Sequence, residues 1–446
     1  MLRMDAGHAL LDDAFVLVED GRIAALGPIS DAPSASEVNH VEDATGCLVV
    51  PGLINAHQHH WYALLKGMSE GLYLEDWVER VMNPAAAALQ PDDLVVSMRL
   101  AAAEMLSSGT TTFFNHSVSE TDLNTVTALA EASTATGIRQ VFGKELRATV
   151  RTGDVETHHA DVESLLARYA GPVEDALFTV ALAVESGEHW IRSGAMTPEL
   201  ARHAASLAER FDVRISDHVT GGTLDRSVIA FRRRTGLGQV EWLAAHGLLS
   251  ARSLLAHAPW LEGSEVGLVA RAGATVVTCP SSSAFTAGGI PPLRDWLDAG
   301  VNVAFGSDGP MVNDTVDILG LLREAFLLQS VKYLQPAPVP IDTLWELPTR
   351  RAAAGIGAAG QLGELSVGAK ADLAVFDLRT PAFGGALAPA VNLVLSGGGH
   401  EARTVMVDGA IVKDRGGFHT LDIDTVIDDG REAARALAAR AGLNTP

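Results

Sequence analysis

The chain is poor in cysteine, in positive charge and in long apolar runs. Its 446 residues hold two cysteines, Cys47 and Cys279, which excludes a disulfide scaffold and fits a reducing compartment. Lys and Arg number 33 against 55 Asp and Glu, for a net charge of -22. Nucleic-acid backbones are gripped by basic patches, so no nucleic-acid partner is expected. No apolar run is long enough to span a bilayer. The acidic start, "MLRMDAGHALLDDAFVLVEDG", lacks a signal-peptide pattern. A cytoplasmic chain with no membrane partner is therefore the expectation.

What is present is a β-rich texture at both ends and an alternating middle. "AFVLVEDGRIAALG" reads as two strands turning at Asp20-Gly21. "ADLAVFDL" (371–378) and "RTVMVDGAIVKD" (403–414) return to that texture, the second turning again at Asp-Gly. The expectation is a composite β-sandwich domain from residues 1–50 and 363–427. Between them, short apolar runs alternate with helical stretches. Strands are expected at 52–57, 110–115, 138–143, 177–184, 213–218, 253–257, 274–279 and 301–308. One helix, 91–109, takes Asp92 as its cap and Gly109 as its stop; another, 197–211, takes Thr197 as its cap. Eight apolar strands alternating with helices predict an α/β fold, a (β/α)8 TIM-type barrel over 51–362. Residues 428–446 are expected to add a helix packed on the outside.

In such a barrel the chemistry sits at the C-terminal ends of the strands. Strand one ends in His57 and His59, strand five in His218, strand six in His257 and strand eight in Asp308. Alternation places residues i and i+2 on one face, so His57 and His59 can bite the same cation. Each residue alone has an ordinary explanation, as a satisfied core histidine or a helix cap. Together at one rim, His57, His59, His218 and Asp308 form a set of three nitrogens and one oxygen. That set suits one divalent ion, Zn2+ first and Fe2+ second.

These residues also carry a resemblance. "VVPGLINAHQHHWYALLKG" resembles the first-strand motif of the amidohydrolase superfamily, in its cytosine, guanine and triazine deaminase (chlorohydrolase-like) branch. "LLAHAPWLEGSEVGLVARAGATVVTCPSSSAFTAGGIPPLRDWLDAGVNVAFGSDGP" and "GELSVGAKADLAVFDL" resemble later blocks of that branch. The resemblance covers nearly the whole chain. It implies that His57, His59, His218 and Asp308 are the metal ligands. It makes His257 the residue that positions the attacking water, and Asp308 also the base. A bound divalent cation lowers the pKa of water towards neutrality, which suits hydrolysis of a ring amine. The other zinc-deaminase architecture needs a P-C-x-x-C signature, which is absent.

The pattern departs from the branch at one point. A glutamate usually follows the strand-five histidine by three residues and shuttles a proton; here that position is Gly221. Glu185, directly after strand four, is the first candidate to replace it as a catalytic acid. Asp217 is a weaker one, since alternation turns it away. Gln58, Trp61, His116 and Lys144 are candidate substrate contacts, and Trp190 and Trp260 are further candidates for stacking on a flat ring. The function implied is a metal-dependent aminohydrolase of a planar N-heterocycle: an oxidised purine, an isoxanthopterin-like pterin, a pyrimidine or an s-triazine. The alternatives are a cyclic amide hydrolase of the imidazolonepropionase kind, a hydrolase of another ring C–N or C–Cl bond, and a non-catalytic relative. A homo-oligomer, a dimer or larger, is expected by analogy.

Overall fold

Apolar runs buried along their whole length form the centre of the molecule. The computed structural model describes every residue except 6, 8, 9, 152, 262, 445 and 446. In chain order the strands are β1 (Ala14–Glu19), β2 (Arg22–Pro28), β3 (Cys47–Pro51), β4 (Leu53–Gln58), β5 (Thr110–His116), β6 (Arg139–Glu145), β7 (Phe178–Val184), β8 (Ile215–Val219), β9 (Ser253–His257), β10 (Thr275–Thr278), β11 (Asn302–Phe305), β12 (Leu373–Asp377), β13 (Ala402–Val407), β14 (Ala410–Asp414) and β15 (Gly417–Phe418). Strands β4 to β11 pair in sequence order as one eight-stranded parallel sheet. Helices lie between them, as a parallel sheet buried on both faces requires. This is the expected barrel, and its strands start and stop within a few residues of the sequence reading.

The barrel closes between β11 and β4 without a full ladder. At the C-terminal rim the Asp308 amide donates to His57 O at 3.0 Å. Lower down, the Ile54 amide donates to Pro348 O and the Phe305 amide to Leu347 O, so residues 347–348 span the seam. Gly306 permits the close approach. A Cβ there would sit 2.8 Å from His57 Cβ.

Both chain ends build a separate sheet of order β15-β14-β13-β12-β3, beside the β1-β2 ribbon. The N-terminal strand β3 pairs antiparallel with β12 over five residue pairs, Leu373↔Pro51 to Asp377↔Cys47. Ile23, Leu365, Ala371, Leu373 and Val375 form a small core of their own between these pieces. Both Asp-Gly turns have two consecutive residues at positive φ: Asp20 (48°) and Gly21 (76°), Asp408 (51°) and Gly409 (79°). That is the twist-matched hairpin turn the dipeptide favours.

Two helix expectations are corrected. The first runs Pro91–Ser107, and its cap is Gln90 rather than Asp92. Pro91 takes the first helical position, so the reciprocal partner falls on Asp93, whose Oδ2 accepts from the Gln90 amide at 2.8 Å. The last helix begins five residues earlier than the acidic run suggested, at Ile423, because Asp422 caps it through the Thr425 amide. It runs to Arg440 and packs on helix Pro91–Ser107.

A buried ion pair ties barrel to small sheet. The Arg139 guanidinium, at the start of β6, donates from Nε and Nη2 to the two oxygens of Asp372, each at 3.2 Å. Its Nη1 reaches the carbonyls of Val173, Glu174 and Ala176. Removing one partner of such a pair leaves an uncompensated charge, which costs about 3–5 kcal/mol. Arg139→Ala should lower the urea unfolding midpoint accordingly, whereas the double apolar replacement Arg139→Met with Asp372→Leu should regain most of the loss.

Candidate active site

The C-terminal ends of the barrel strands bring five imidazoles and two carboxylates together. His57 and His59 leave β4 on the same face, with ring centroids 4.8 Å apart. His218 from β8 stacks on His59 at 5.2 Å and on His257 from β9 at 5.3 Å. Among the described residues three donor sets each have ligand atoms within 4.8 Å of one another: His57, His59 and His218; His57, His257 and Asp308; and His116, Glu185 and His218. Asp308 Oδ1 lies 3.3 Å from His59 Nε2 and 3.8 Å from His57 Nε2, while Oδ2 lies 3.8 Å from His257 Nε2.

The hydrogen bonds leave lone pairs for a cation. Both ring nitrogens of His57 are buried without a partner among the described residues. His59 Nδ1 lies 2.6 Å from the His116 carbonyl, so this nitrogen carries the proton and Nε2 is a free acceptor. His218 Nδ1 faces Glu185 Oε1 at 2.8 Å, which directs its Nε2 towards His59 Nε2, 3.2 Å away. Two ring nitrogens at that separation need a proton or a cation between them. The residues present therefore fit a divalent metal, on the orphaned His57 nitrogens and on the chemistry of the donors.

Backbone and neighbours hold this geometry. His257 and Asp308 both adopt left-handed conformations, with φ of 70° and 60°. Such strain in non-glycine residues is concentrated at functional sites. Ser282 Oγ donates to Asp308 Oδ2 at 2.5 Å and the Gly309 amide to Oδ1 at 2.7 Å. Burial pushes the Asp308 carboxyl up, but His257, His59 and these donors outweigh it and hold it well below the ordinary carboxylate range. Burial lowers His257 to about 4, so it is neutral at pH 7. For His218 burial acts downward, yet Glu185 outweighs it and raises the ring to about 9 in the metal-free chain.

Glu185 follows β7 and reaches the cluster, but its Oε1 is committed. It takes His218 Nδ1 at 2.8 Å and His116 Nε2 at 3.2 Å, while His116 Nδ1 meets Ser216 Oγ at 2.9 Å. Asp217 turns away, as alternation requires, and accepts from the Ser186 amide at 2.9 Å and from its hydroxyl. Burial drives its carboxyl up to about 7.

A cavity of about 250 Å³ opens above the cluster. His59, His218, His257, Asp308 and Glu185 lie on its wall, with Tyr62, Trp77, Val78, Met82 and Trp190 as apolar and aromatic surface. None of the four expected substrate contacts lies on that wall. Gln58 is fully buried, with neither amide atom partnered among the described residues. Trp61 packs in the core against Tyr62, centroids 4.5 Å apart. Lys144 is fully buried and pairs with Glu145 at 2.8 Å. His116 stands behind Glu185 and His218. Of the further stacking candidates Trp190 reaches the cavity, whereas Trp260 donates its Nε1–H to Gly222 O at 3.0 Å. Sequence reasoning missed Tyr62, Trp77 and Glu75, which follow β4 in a segment with no strand-end signal.

Two measurements follow from these environments. If His218 ligates a cation, the ion displaces its proton below about pH 9, so Zn2+ affinity measured by chelator competition should rise about tenfold per pH unit and level off near pH 9. Glu185→Gln should flatten that slope and lower the plateau affinity by about 10- to 100-fold, the usual cost of losing a ligand-orienting group. Asp217 binds a proton in the folded chain up to about pH 7 but loses it near pH 4 when unfolded, so stability falls as pH rises between those values. Asp217→Asn should leave Tm nearly unchanged at pH 4 and raise it at pH 8, by a gain on the order of a few kcal/mol.

Comparison with known proteins agrees with this architecture. The amidohydrolase family pattern matches residues 48–412. The 5-methylthioadenosine/S-adenosylhomocysteine deaminase of Syntrophobacter fumaroxidans is 32% identical over 444 residues, covering 98% of this chain and 96% of that one. The 5'-deoxyadenosine deaminase of Methanosarcina acetivorans is 29% identical, covering 99% and 97%. Among solved structures, a zinc complex of atrazine chlorohydrolase from Arthrobacter aurescens TC1 superposes with a TM-score of 0.87 at 25% identity, covering 97% and 98%. A zinc-bound adenosine deaminase from Xanthomonas campestris has the same fold, with a TM-score of 0.88 at 23% identity and coverage of 98% and 96%. With its barrel, its rim of histidine and carboxylate side chains and a family match over most of its length, this chain belongs to the amidohydrolase family.

Proposed function

We propose that this protein is a metal-dependent aminohydrolase that replaces an amine on a planar nitrogen heterocycle by oxygen, releasing ammonia. The observation that carries this reading is the convergence of His57, His59, His218 and Asp308 under a cavity with aromatic walls. The curated relatives, deaminases of purine nucleosides, support it. The zinc in the structural relatives supports Zn2+ as the ion.

His57, His59, His218 and Asp308 would hold the ion. When bound, it supplies a Lewis acid that lowers the pKa of water and polarises the substrate carbon. Asp308 is ionised across the working pH range and accepts the proton of the attacking water, then returns it to the departing nitrogen. His257, neutral at pH 7, offers a hydrogen-bond donor to the oxygen on which negative charge develops. Glu185 orients His218 through its Nδ1 and fixes His116 at the same oxygen. The cavity walls exclude water around the ring and hold it flat.

A second reading has one observation in its favour. No side chain at Gly221 supplies the acid that a leaving amine needs. Chloride leaves as an anion without a proton, and a structural relative is an atrazine chlorohydrolase. Zinc-loaded protein should release ammonia from at least one ring in a panel of 5'-substituted adenosines, oxidised purines, pterins, pyrimidines and s-triazines. Asp308→Asn should cut that rate by about 10²-fold or more. Chloride release from a chlorinated triazine with no ammonia from any ring would favour the second reading, and silence on every ring would sink both.

A further inference from the structure

The cavity wall carries a carboxylate that the metal cluster does not use. Glu75 sits in the short helix Leu74–Trp77 that follows β4. Its Oε1 accepts from the Thr223 amide, Thr223 Oγ1 and Ser227 Oγ, each at 2.8 Å. Its Oε2 is buried and has no partner among the described residues. A buried carboxylate oxygen without a donor is costly, and a donor brought in by a ligand relieves that cost.

The glycines after His218 bring this group close to the reacting centre. A Cβ on Gly222 would lie 2.5 Å from Glu75 Oε1 and 2.2 Å from Ser227 Oγ. A Cβ on Gly221 would lie 3.0 Å from His257 Cδ2. A side chain at Gly222 would collide with Glu75, and one at Gly221 would press on the His257 ring. One dipeptide therefore separates the His257 imidazole from the Glu75 carboxylate, and both residues line the same cavity. A flat ring that reaches His257 can meet Glu75 with its own edge, without a distal substituent. Trp77, in the same helix, and Trp190 give that ring apolar faces.

We propose that Glu75 accepts an N–H of the substrate ring and selects heterocycles that present such a donor beside the β8 loop. This assignment rests on the reading of the site as a ring aminohydrolase. It makes Glu75 a specificity residue, on the edge of the cavity where Gly221 offers no side chain.

The test uses zinc-loaded full-length protein and each ring of the panel that releases ammonia, beside its N-methylated counterparts. Methylation at one ring nitrogen should lower kcat/KM of the wild type by about 10- to 100-fold, the scale of a hydrogen bond to a charged group. Glu75→Gln presents a donor where an acceptor is needed. It should lower kcat/KM for the parent ring by a similar factor and leave the methylated ring unchanged. Ser227→Ala removes one donor to Oε1 and should retain the discrimination between the two rings. Should the glutamine variant not fold, Glu75→Asp, which keeps the charge but withdraws the oxygen, makes the same comparison. Equal losses on both rings in the Glu75 and Ser227 variants would reduce Glu75 to a loop anchor and overturn the assignment, as would a wild type indifferent to every methylation. Absence of ammonia from all rings would overturn the underlying reading, and the assignment with it.

Discussion

Everything at the barrel rim depends on buried imidazole nitrogens that the protein itself does not satisfy. His57 is fully buried with neither ring nitrogen bonded among the described residues, and His59 Nε2 and His218 Nε2 face each other at 3.2 Å. Desolvated lone pairs in contact are tolerated only if a cation or a proton lies between them. The surrounding structure is organised to keep them in that state. The His116 carbonyl fixes one tautomer and Glu185 another, while Gly306 lets the closing strand approach β4 so that Asp308 can join. The left-handed backbones at His257 and Asp308 hold strain at the rim, stabilised by the closed barrel beneath.

The acids of the site divide their work by environment. Asp308 is held ionised by imidazoles and two hydrogen-bond donors, which suits a group that accepts a proton. Glu185 is held ionised by His218 and His116 against its burial, and its committed oxygen makes it an orienting group. Asp217, one residue from His218, faces Ser186 instead and is neutral up to about pH 7. Of these three carboxyls, two are thus held ionised and one is held protonated up to about pH 7, because different partners surround each.

The barrel was legible because its signal is local. Runs such as Phe178–Val184 are apolar, are bounded by turn residues and alternate with helical stretches. Strand alternation then sends His57 and His59 to one face and Gln58 to the other. Position at a strand end does not reveal that the neighbouring Glu145 pairs with the Lys144 ammonium. Glu75 escaped notice because a lone acid in a helical stretch resembles any solvated charge. Its standing comes from Thr223 and Ser227, about 150 residues further on.

The amino-acid sequence by itself determined the barrel, the pairing of terminal strands into a separate sheet, and the residues that crowd its rim. Periodicity and strand-end chemistry are written in consecutive residues, so they can be read without coordinates. Tertiary structure decided which groups are partners and which remain free. It committed Glu185 to His218, turned Asp217 and Lys144 away, and set Glu75 against the glycine pair. Those outcomes depend on distances between segments far apart in the chain, and on what burial leaves within reach of each charge.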